Sequence, residues 1–225
     1  MIPFFMLMIP LSMSMTEPKR HKLIFKKGYL SELLEMISFS LFKNKRLRWL
    51  MIYIGIIYSF NQAVLWLYQP YFQLTGLDIV YFGVVFASFQ LVAAASSKYA
   101  HKIEETLGQK HSLAMLVVLV SASFLMMGKF IYLFSFMFVF LQQFVRGFSG
   151  VVFTDYINRL TRSEIRATIL SANNLMSRLL YALIIPLIGW TADVYSLVQA
   201  LVLMGITLLI SGTIVLFILH KEKLV

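Results

Sequence analysis

The residues in this sequence that could do chemistry are a few polar side chains inside long apolar runs. Gln142, Gln143 and Arg146 stand at i, i+1 and i+4, so Arg146 shares a helix face with both amides. A second polar stripe follows at i, i+3, i+7 and i+10: Ser171, Asn174, Arg178 and Tyr181. Amides and a guanidinium in such positions can bind a polar or anionic group.

Other kinds of chemistry lack the residues they need. The chain has no cysteine, which excludes disulfides, thiolate metal sites and cysteine nucleophiles. All four histidines lie in charged segments, and no pair has metal-ligand spacing inside an apolar run. The runs contain no carboxylate either, so they cannot supply an acidic or histidine proton relay. The partner of Arg178 is therefore expected to be an anionic substrate, another chain or cavity water.

The composition indicates which elements must position these residues. Of the 225 residues, 60% are hydrophobic and 13% are charged, and the mean hydropathy is +0.80. A soluble domain is about half apolar and about a quarter charged. The net charge of +10 lies in segments between apolar runs, where it can meet anionic lipid rather than nucleic acid. The sequence therefore predicts an all-α integral membrane protein.

A transmembrane helix needs about 20 mostly apolar residues. Six runs meet this requirement: Trp49–Leu77, Ile79–Ser97, Ser112–Gly128, Phe130–Thr154, Ala167–Ala192 and Val194–Leu219. Asn61 and Gln62 lie in the first run, Gln90 in the second, Arg146 in the fourth and Arg178 in the fifth. Buried amides and charges usually face a bundle interior or a wet cavity. We therefore expect spans one, two, four and five to line a cavity, and spans three and six to face lipid.

A purely structural interpretation of these residues stays open. Amides in membrane helices often only hydrogen-bond a neighbouring helix, which applies to Asn61, Gln62, Gln90 and Asn173. Arg146 is about 10 Å from one end of its run, so it could be an interfacial anchor. Arg178 is about 16 Å from either end, too deep to reach the surface easily, which favours a functional role.

The connecting segments predict the orientation. Thr16–Arg48, Lys98–His111, Asp155–Arg166 and His220–Val225 carry 9, 3, 3 and 2 Lys or Arg. The opposite connections carry only Lys129. Since positive loops stay inside, the basic segments and the C-terminus are expected to be cytoplasmic, with the six spans forming three hairpins.

The first 48 residues are predicted to hold no complete span. Met1–Met15 is too short to cross a bilayer and lacks the charged start of a secretory signal, so we interpret it as the end of a span. Ser31 could cap a helix in the basic loop that follows. Its apolar stripe consists of Leu30, Leu33, Leu34, Ile37 and Leu41. This pattern predicts an interfacial helix along the inner leaflet.

The sequence Gly147-Phe148-Ser149-Gly150 resembles the G-x-S-G nucleophile motif of rhomboid-type intramembrane proteases, which also have a six-span core. A serine nucleophile needs a histidine base within reach, and that family carries it in the sixth span. Here Val194–Leu219 has no histidine, and His220 follows it at the membrane edge. Small residues also allow close helix packing, so we expect no enzyme.

The arrangement resembles the C-terminal half of a major facilitator superfamily transporter over nearly the whole chain. Met1–Met15 would match the end of the sixth helix, Thr16–Arg48 the central cytoplasmic loop, and the six spans helices seven to twelve. Segment 155–171 is similar to the tenth-to-eleventh loop of bacterial drug-exporter-like members, and segment 189–193 resembles the end of their eleventh helix. Arg146 with Gly150 resembles the R-x-x-x-G motif of the fourth helix, in the pseudo-repeat position.

The loop of residues 97–110 is a poor copy of the family's G-x-x-x-D-R-x-G-R-R motif, since the expected glycine and aspartate are absent. In the family, helices seven, eight, ten and eleven surround the cavity or the interface between halves. This agrees with the polar distribution, which was obtained without the resemblance.

The resemblance implies the C-terminal bundle of a secondary transporter that moves a small solute by alternating access. The residues expected to contact substrate or line the cavity are Asn61, Gln62, Gln90, Gln142, Gln143, Arg146, Asn174 and Arg178. The residues expected in gating loops are Lys98, Lys102, Asp155, Arg159 and Arg166. No cofactor or metal is expected. The expected partners are the lipid bilayer of the inner cell membrane, a small solute, and a second bundle.

The family builds its pathway from two six-helix bundles, and only one is present. Three explanations are open: a fragment of a split or frameshifted gene, a half-transporter working as a dimer, and an inactive product. The short Met1–Met15 favours the first. The alternative function is a non-transporting truncated membrane protein or a bundle that binds a partner set of helices.

Overall fold

The structure, a computed structural model, describes residue 10 and residues 44–163 and 165–222, which form helices and no strand. The α-helices in chain order are α1 Lys45–Ala63, α2 Tyr68–Leu74, α3 Phe82–Lys129, α4 Val139–Leu160, α5 Arg166–Val194 and α6 Leu197–Lys221. Short 3-10 segments at Val64–Trp66, Ile79–Tyr81 and Leu133–Phe138 precede α2, α3 and α4. The expected end of a sixth span (apart from residue 10) and the interfacial helix lie outside the described residues.

Helices α1 and α6 begin at polar caps. The Oδ1 atom of Asn44 accepts a hydrogen bond from the Leu47 N–H at 3.1 Å. The Oγ atom of Ser196 accepts one from the Gln199 N–H, also at 3.1 Å. Each bond satisfies an N–H group that has no partner within the first helical turn.

The first predicted span, Trp49–Leu77, is not one continuous helix. The α1 helix ends at Ala63, and a 3-10 turn leads into α2. Pro70 explains the break, because in a continuous helix its ring would clash with the Trp66 carbonyl and its missing N–H would leave a hydrogen bond unmade. In α2 it lies in the first turn, where no N–H is needed.

Helix α3 has 48 residues but consists of two arms, 82–107 and 109–129, that meet at Gly108. The φ of 73° and ψ of 164° at Gly108 lie in a region that favours glycine. The first arm runs parallel to α4: the Phe89 and Phe140 rings are 5.0 Å apart, and the Tyr156 hydroxyl donates to Glu104 at 2.9 Å.

The second arm runs in the opposite direction. The amide of Gln142, early in α4, donates to Ser123 at 2.8 Å. Leu113 lies near the other end of α4, because the hydroxyl of Tyr53 donates to its carbonyl at 2.6 Å while the Tyr53 ring packs edge-on against Phe153. The two arms are therefore a hairpin, and they correspond to the second and third predicted spans.

Five described segments are long and apolar enough to cross a membrane, and the longest, Ile79–Lys129, contains the two arms. The predicted all-α bundle with six passes of membrane length therefore agrees with the described structure. The helix of the fourth span continues past the predicted end at Thr154 into the charged segment and ends at Leu160.

The basic segments meet at one end of this bundle, which we call the basic end (44–48, 98–111, 155–166 and 220–222). Arg46 donates to Gln109 at 3.5 Å, and the ammonium of Lys45 lies 3.8 Å from the carboxylate of Glu222. Lys129 is at the opposite end of α3's second arm. The predicted common side of the basic loops is thus present in the fold.

The third span lies inside the bundle instead of facing outward as expected. Leu113, Leu116, Val120 and Phe124 are all fully buried, and α6 packs closely on this arm because Gly212 leaves room for Val117. A span with no side chain more polar than serine suits a dry core as well as lipid, so composition did not separate the two environments. The outward stripe of α6 is apolar and exposed: Leu203, Ile206, Ile210, Ile214 and Phe217.

Candidate functional site

A cavity of about 350 Å³ lies between α1, α4 and α5. This volume is near the lower end of the range of small-molecule pockets, about 300–1,000 Å³. Its polar lining consists of Tyr58, Asn61, Gln62, Arg146, Ser149, Thr154, Asn173 and Asn174. Its apolar lining consists of Ile54, Ile57, Gly150, Phe153, Ile157 and Leu170.

The cavity brings together four of the predicted site residues from three separate spans: Asn61, Gln62, Arg146 and Asn174. Gln90 lies elsewhere, on the exposed side of the first α3 arm, and makes no hydrogen bond with a described residue. The expectation that the second span lines the same cavity is therefore not met.

Arg146 is the one charged residue of this cavity lining. It lies near the middle of the 28-residue segment Leu133–Leu160, about 20 Å from either end. The residues of this helix past Thr154 belong to the basic end, so Arg146 stays about 10 Å from the charged segment, as the sequence suggested. Its guanidinium makes no ion pair or hydrogen bond within the described ranges, so it is free to bind an anionic group.

Asn173 adds an unsatisfied acceptor to the cavity wall. The residue is only 5% exposed, and its Oδ1 atom is buried without a hydrogen-bond partner among the described residues. Leaving such an atom unpaired costs about 1–3 kcal/mol. Because this atom has almost no surface accessible to water, it is an unpaired acceptor within the wall and not a contact for a solute.

Gln142 and Gln143 are core residues, which corrects the prediction that they line the cavity. They are 0% and 2% exposed. The Gln142 Oε1 atom accepts from the Tyr68 hydroxyl at 2.7 Å, and the amide of Gln143 donates to the same hydroxyl at 3.3 Å. Asn61 joins this network by donating to the Gln142 carbonyl at 3.1 Å. Tyr68 was missed because no sequence pattern indicated that its hydroxyl would meet Gln142 and Gln143.

Arg178 lies on an uncovered face of α5. The residue is exposed, and it makes no ion pair or hydrogen bond with the part of the chain that is described. Its neighbours Leu175, Leu179 and Leu183 are 60%, 58% and 70% exposed. The structure thus leaves a cation and three leucines together on an exposed face of α5.

The predicted gating residues lie at the basic end. The Arg159 guanidinium lies 2.6 Å from the Asp155 carboxylate and 3.8 Å from that of Glu104. Arg166 donates to the Asn158 carbonyl at 3.4 Å. The two predicted lysines, Lys98 and Lys102, are exposed and form no ion pair with described residues.

Glu104 is a further residue of this end that the sequence analysis did not single out. It is 6% exposed and accepts a hydrogen bond from Tyr156. These contacts connect the α3 hairpin to the end of α4. The sequence signal for Glu104 was a carboxylate in one basic segment with an arginine, Arg159, in the next basic segment as an ion-pair partner.

Two other kinds of site lack support in the structure. No group of three His, Cys, Asp or Glu residues that could hold a metal ion occurs within the described ranges. Ser149 of the G-x-S-G sequence only donates weakly to the Arg146 carbonyl, at 3.5 Å, and no described histidine bonds to it. The serine therefore has no base there to activate it.

The sequence matches no model of a known protein family. A search of curated proteins also gives no significant match. The resemblance to the major facilitator superfamily thus depends on the motifs and on the arrangement of the spans.

Proposed function

We propose that this chain is the C-terminal bundle of a secondary transporter of the major facilitator type, which moves a small solute across a membrane by alternating access. The observation that carries the proposal is the polar cavity between α1, α4 and α5, with the unpaired Arg146 in its wall. These helices correspond to the first, fourth and fifth spans, which the resemblance assigns to the pathway.

The position of the cavity fits a route for solute. Asn61 and Arg146 line its deeper part, whereas Ile157 and Leu170 are close to the ends of α4 and α5 at the basic end. The cavity thus extends from mid-depth toward the basic end. If the basic end is cytoplasmic, as the charge distribution predicts, this shape corresponds to a half-pathway that is open to the inside.

The second wall of the pathway would come from a partner bundle on the exposed face of α5. An arginine at the centre of a membrane helix costs about 2.5–3.5 kcal/mol on insertion scales, which favours covering Arg178 with a polar partner. A second copy of this chain would bring no carboxylate within a span. The charge therefore favours a different bundle, such as an N-terminal half, over a homodimer.

Solute flux in reconstituted vesicles tests the proposal. A panel of solutes is measured with and without a pH gradient, for the chain alone and for the chain combined with a six-span partner expressed beside it. We expect flux from the combination, and loss of flux in Arg178→Ala without loss of membrane insertion. Lys129→Gln removes a charge outside the cavity and serves as the control. Unchanged uptake by Arg178→Ala would contradict the assignment of Arg178.

A non-transporting bundle that binds a partner set of helices is the second candidate. The exposed α5 face with Arg178 favours it as much as it favours a transporter. Two results together would support this candidate: a partner crosslinks to this face of α5, and the assembly that crosslinks transports no solute.

A further inference from the structure

The cavity lining carries a single charge, and that charge is positive. Arg146 lines the cavity, and no carboxylate does. The one carboxylate of α4, Asp155, is at the basic end, where it and Glu104 of α3 both lie within ion-pair distance of Arg159. The cavity therefore has a positive charge that no described residue neutralises.

The uncharged lining suits an anion as well. Asn61, Gln62 and Asn174 have amide N–H groups, and Tyr58 has a hydroxyl, that can donate to oxygen atoms of an anion. The hydroxyls of Ser149 and Thr154 donate instead to the carbonyls of Arg146 and Gly150. Hydrogen bonds that involve a charged group are about twice as strong as neutral ones. A cation without such a partner is unfavourable at membrane depth, so binding of an anion lowers the free energy of the site.

The apolar lining sets the size and kind of solute. Ile54, Ile57, Phe153 and Ile157 form an apolar part of the wall beside the polar one. The volume of about 350 Å³ accommodates a small organic molecule. We infer that the cavity binds a small organic anion, with its carboxylate or similar group on Arg146 and its apolar part against α1 and α4. This inference names the solute class of the proposed transporter and so rests on that function.

Three probes of nearly equal size and different charge test the inference: phenylacetate, phenylacetamide and 2-phenylethylammonium. Their binding to the full chain in nanodiscs of zwitterionic lipid is measured by equilibrium dialysis at physiological salt, and binding to empty nanodiscs is subtracted. We expect phenylacetate to bind about tenfold or more tightly than the amide, as one charged hydrogen bond implies, and the ammonium to bind most weakly.

Matched variants locate the effect. Arg146→Gln should remove the preference for phenylacetate over phenylacetamide, whereas Arg146→Lys should keep its sign. Arg162→Gln removes an exposed arginine at the basic end, outside the cavity lining, and should leave the preference unchanged. This control separates binding at Arg146 from a general attraction of anions to the basic end, and Arg146→Lys guards against misfolding of the glutamine variant.

The outcomes distinguish this inference from the transporter proposal. Equal binding of the three probes, preference for the ammonium, or a preference that survives Arg146→Gln would overturn the anionic class. The absence of saturable binding by the folded chain would overturn it too. Flux of neutral or cationic solutes would then still support a transporter. Phenylacetate binding that depends on Arg146, with no flux from the complete assembly, would support the site and contradict transport.

Discussion

At the scale of single residues, two similar polar groups in α4 have opposite roles. Gln142 is fully buried and satisfied by Tyr68 and Ser123, whereas Arg146, one turn later, lines the cavity without a partner. Spacing in the sequence placed them on one face of a helix. Which of them meets another helix depends on where α2 and α3 lie. The spacing of residues within α4 carries no information about those positions.

Replacement of the core amide should destabilise the bundle. Gln142→Leu would leave the Tyr68 hydroxyl without its acceptor and Ser123 without its donor, inside the protein. We expect a loss of about 1–3 kcal/mol in the free energy of unfolding. Thermal or denaturant unfolding in detergent measures it, with Gln90→Leu, an exposed amide, as the matched control. Equal stability of the two variants would show that the network is not made.

At the scale of elements, glycine positions determine how closely the helices approach. A Cβ atom at Gly147 of α4 would meet the backbone carbonyl of Ala93 in the first arm of α3. At Gly83, on the same arm, it would meet nothing within 4 Å. Small residues of this kind let membrane helices pack through their backbones.

The glycine contact yields a prediction about packing. Gly147→Ala should lower the unfolding midpoint of the bundle clearly more than Gly83→Ala. The added methyl group at position 147 forces the first arm of α3 away from α4, whereas the one at position 83 enters open space. The difference in unfolding midpoint between the two variants measures this effect. A Gly147→Ala protein as stable as Gly83→Ala would contradict the close approach of the two helices.

The elements also show the limits of sequence-based prediction. The lengths of the apolar runs predicted the passes, and the charged segment of residues 98–111 predicted the reversal between the second and third spans, which the structure has at Gly108. The break before Pro70 and the burial of the third span were not predicted. Hydropathy measures transfer out of water, and lipid and a dry protein core are alike in that respect.

At the scale of the whole molecule, the common basic end was predictable because charge bias follows membrane topology. The cavity was predictable in part, since depth and polarity selected Asn61, Gln62, Arg146 and Asn174. The exclusion of Gln90, Gln142 and Gln143 could not be predicted, because it depends on which helix covers which face. No property of a single helix determines this.

The orientation of the bundle can be measured with single cysteines, since the chain has none of its own. A cysteine replacing Lys110 at the basic end should be protected from a membrane-impermeant thiol reagent in intact cells. One replacing Ile131, exposed near the opposite end, should react. Both should react after permeabilisation. The reverse pattern in intact cells would contradict the cytoplasmic placement of the basic end.

Transport requires that the polar cavity between α1, α4 and α5 is open to water at membrane depth. The most direct test is the reaction of Ser149→Cys, in the cavity lining, with a water-soluble thiol reagent in nanodiscs. Ile210→Cys, on the outward apolar face of α6, is the matched control. We expect rapid labelling at position 149, slowed by phenylacetate, and little labelling at position 210. A folded Ser149→Cys protein that stays unlabelled would contradict the proposed transport, because its cavity would then be closed to water.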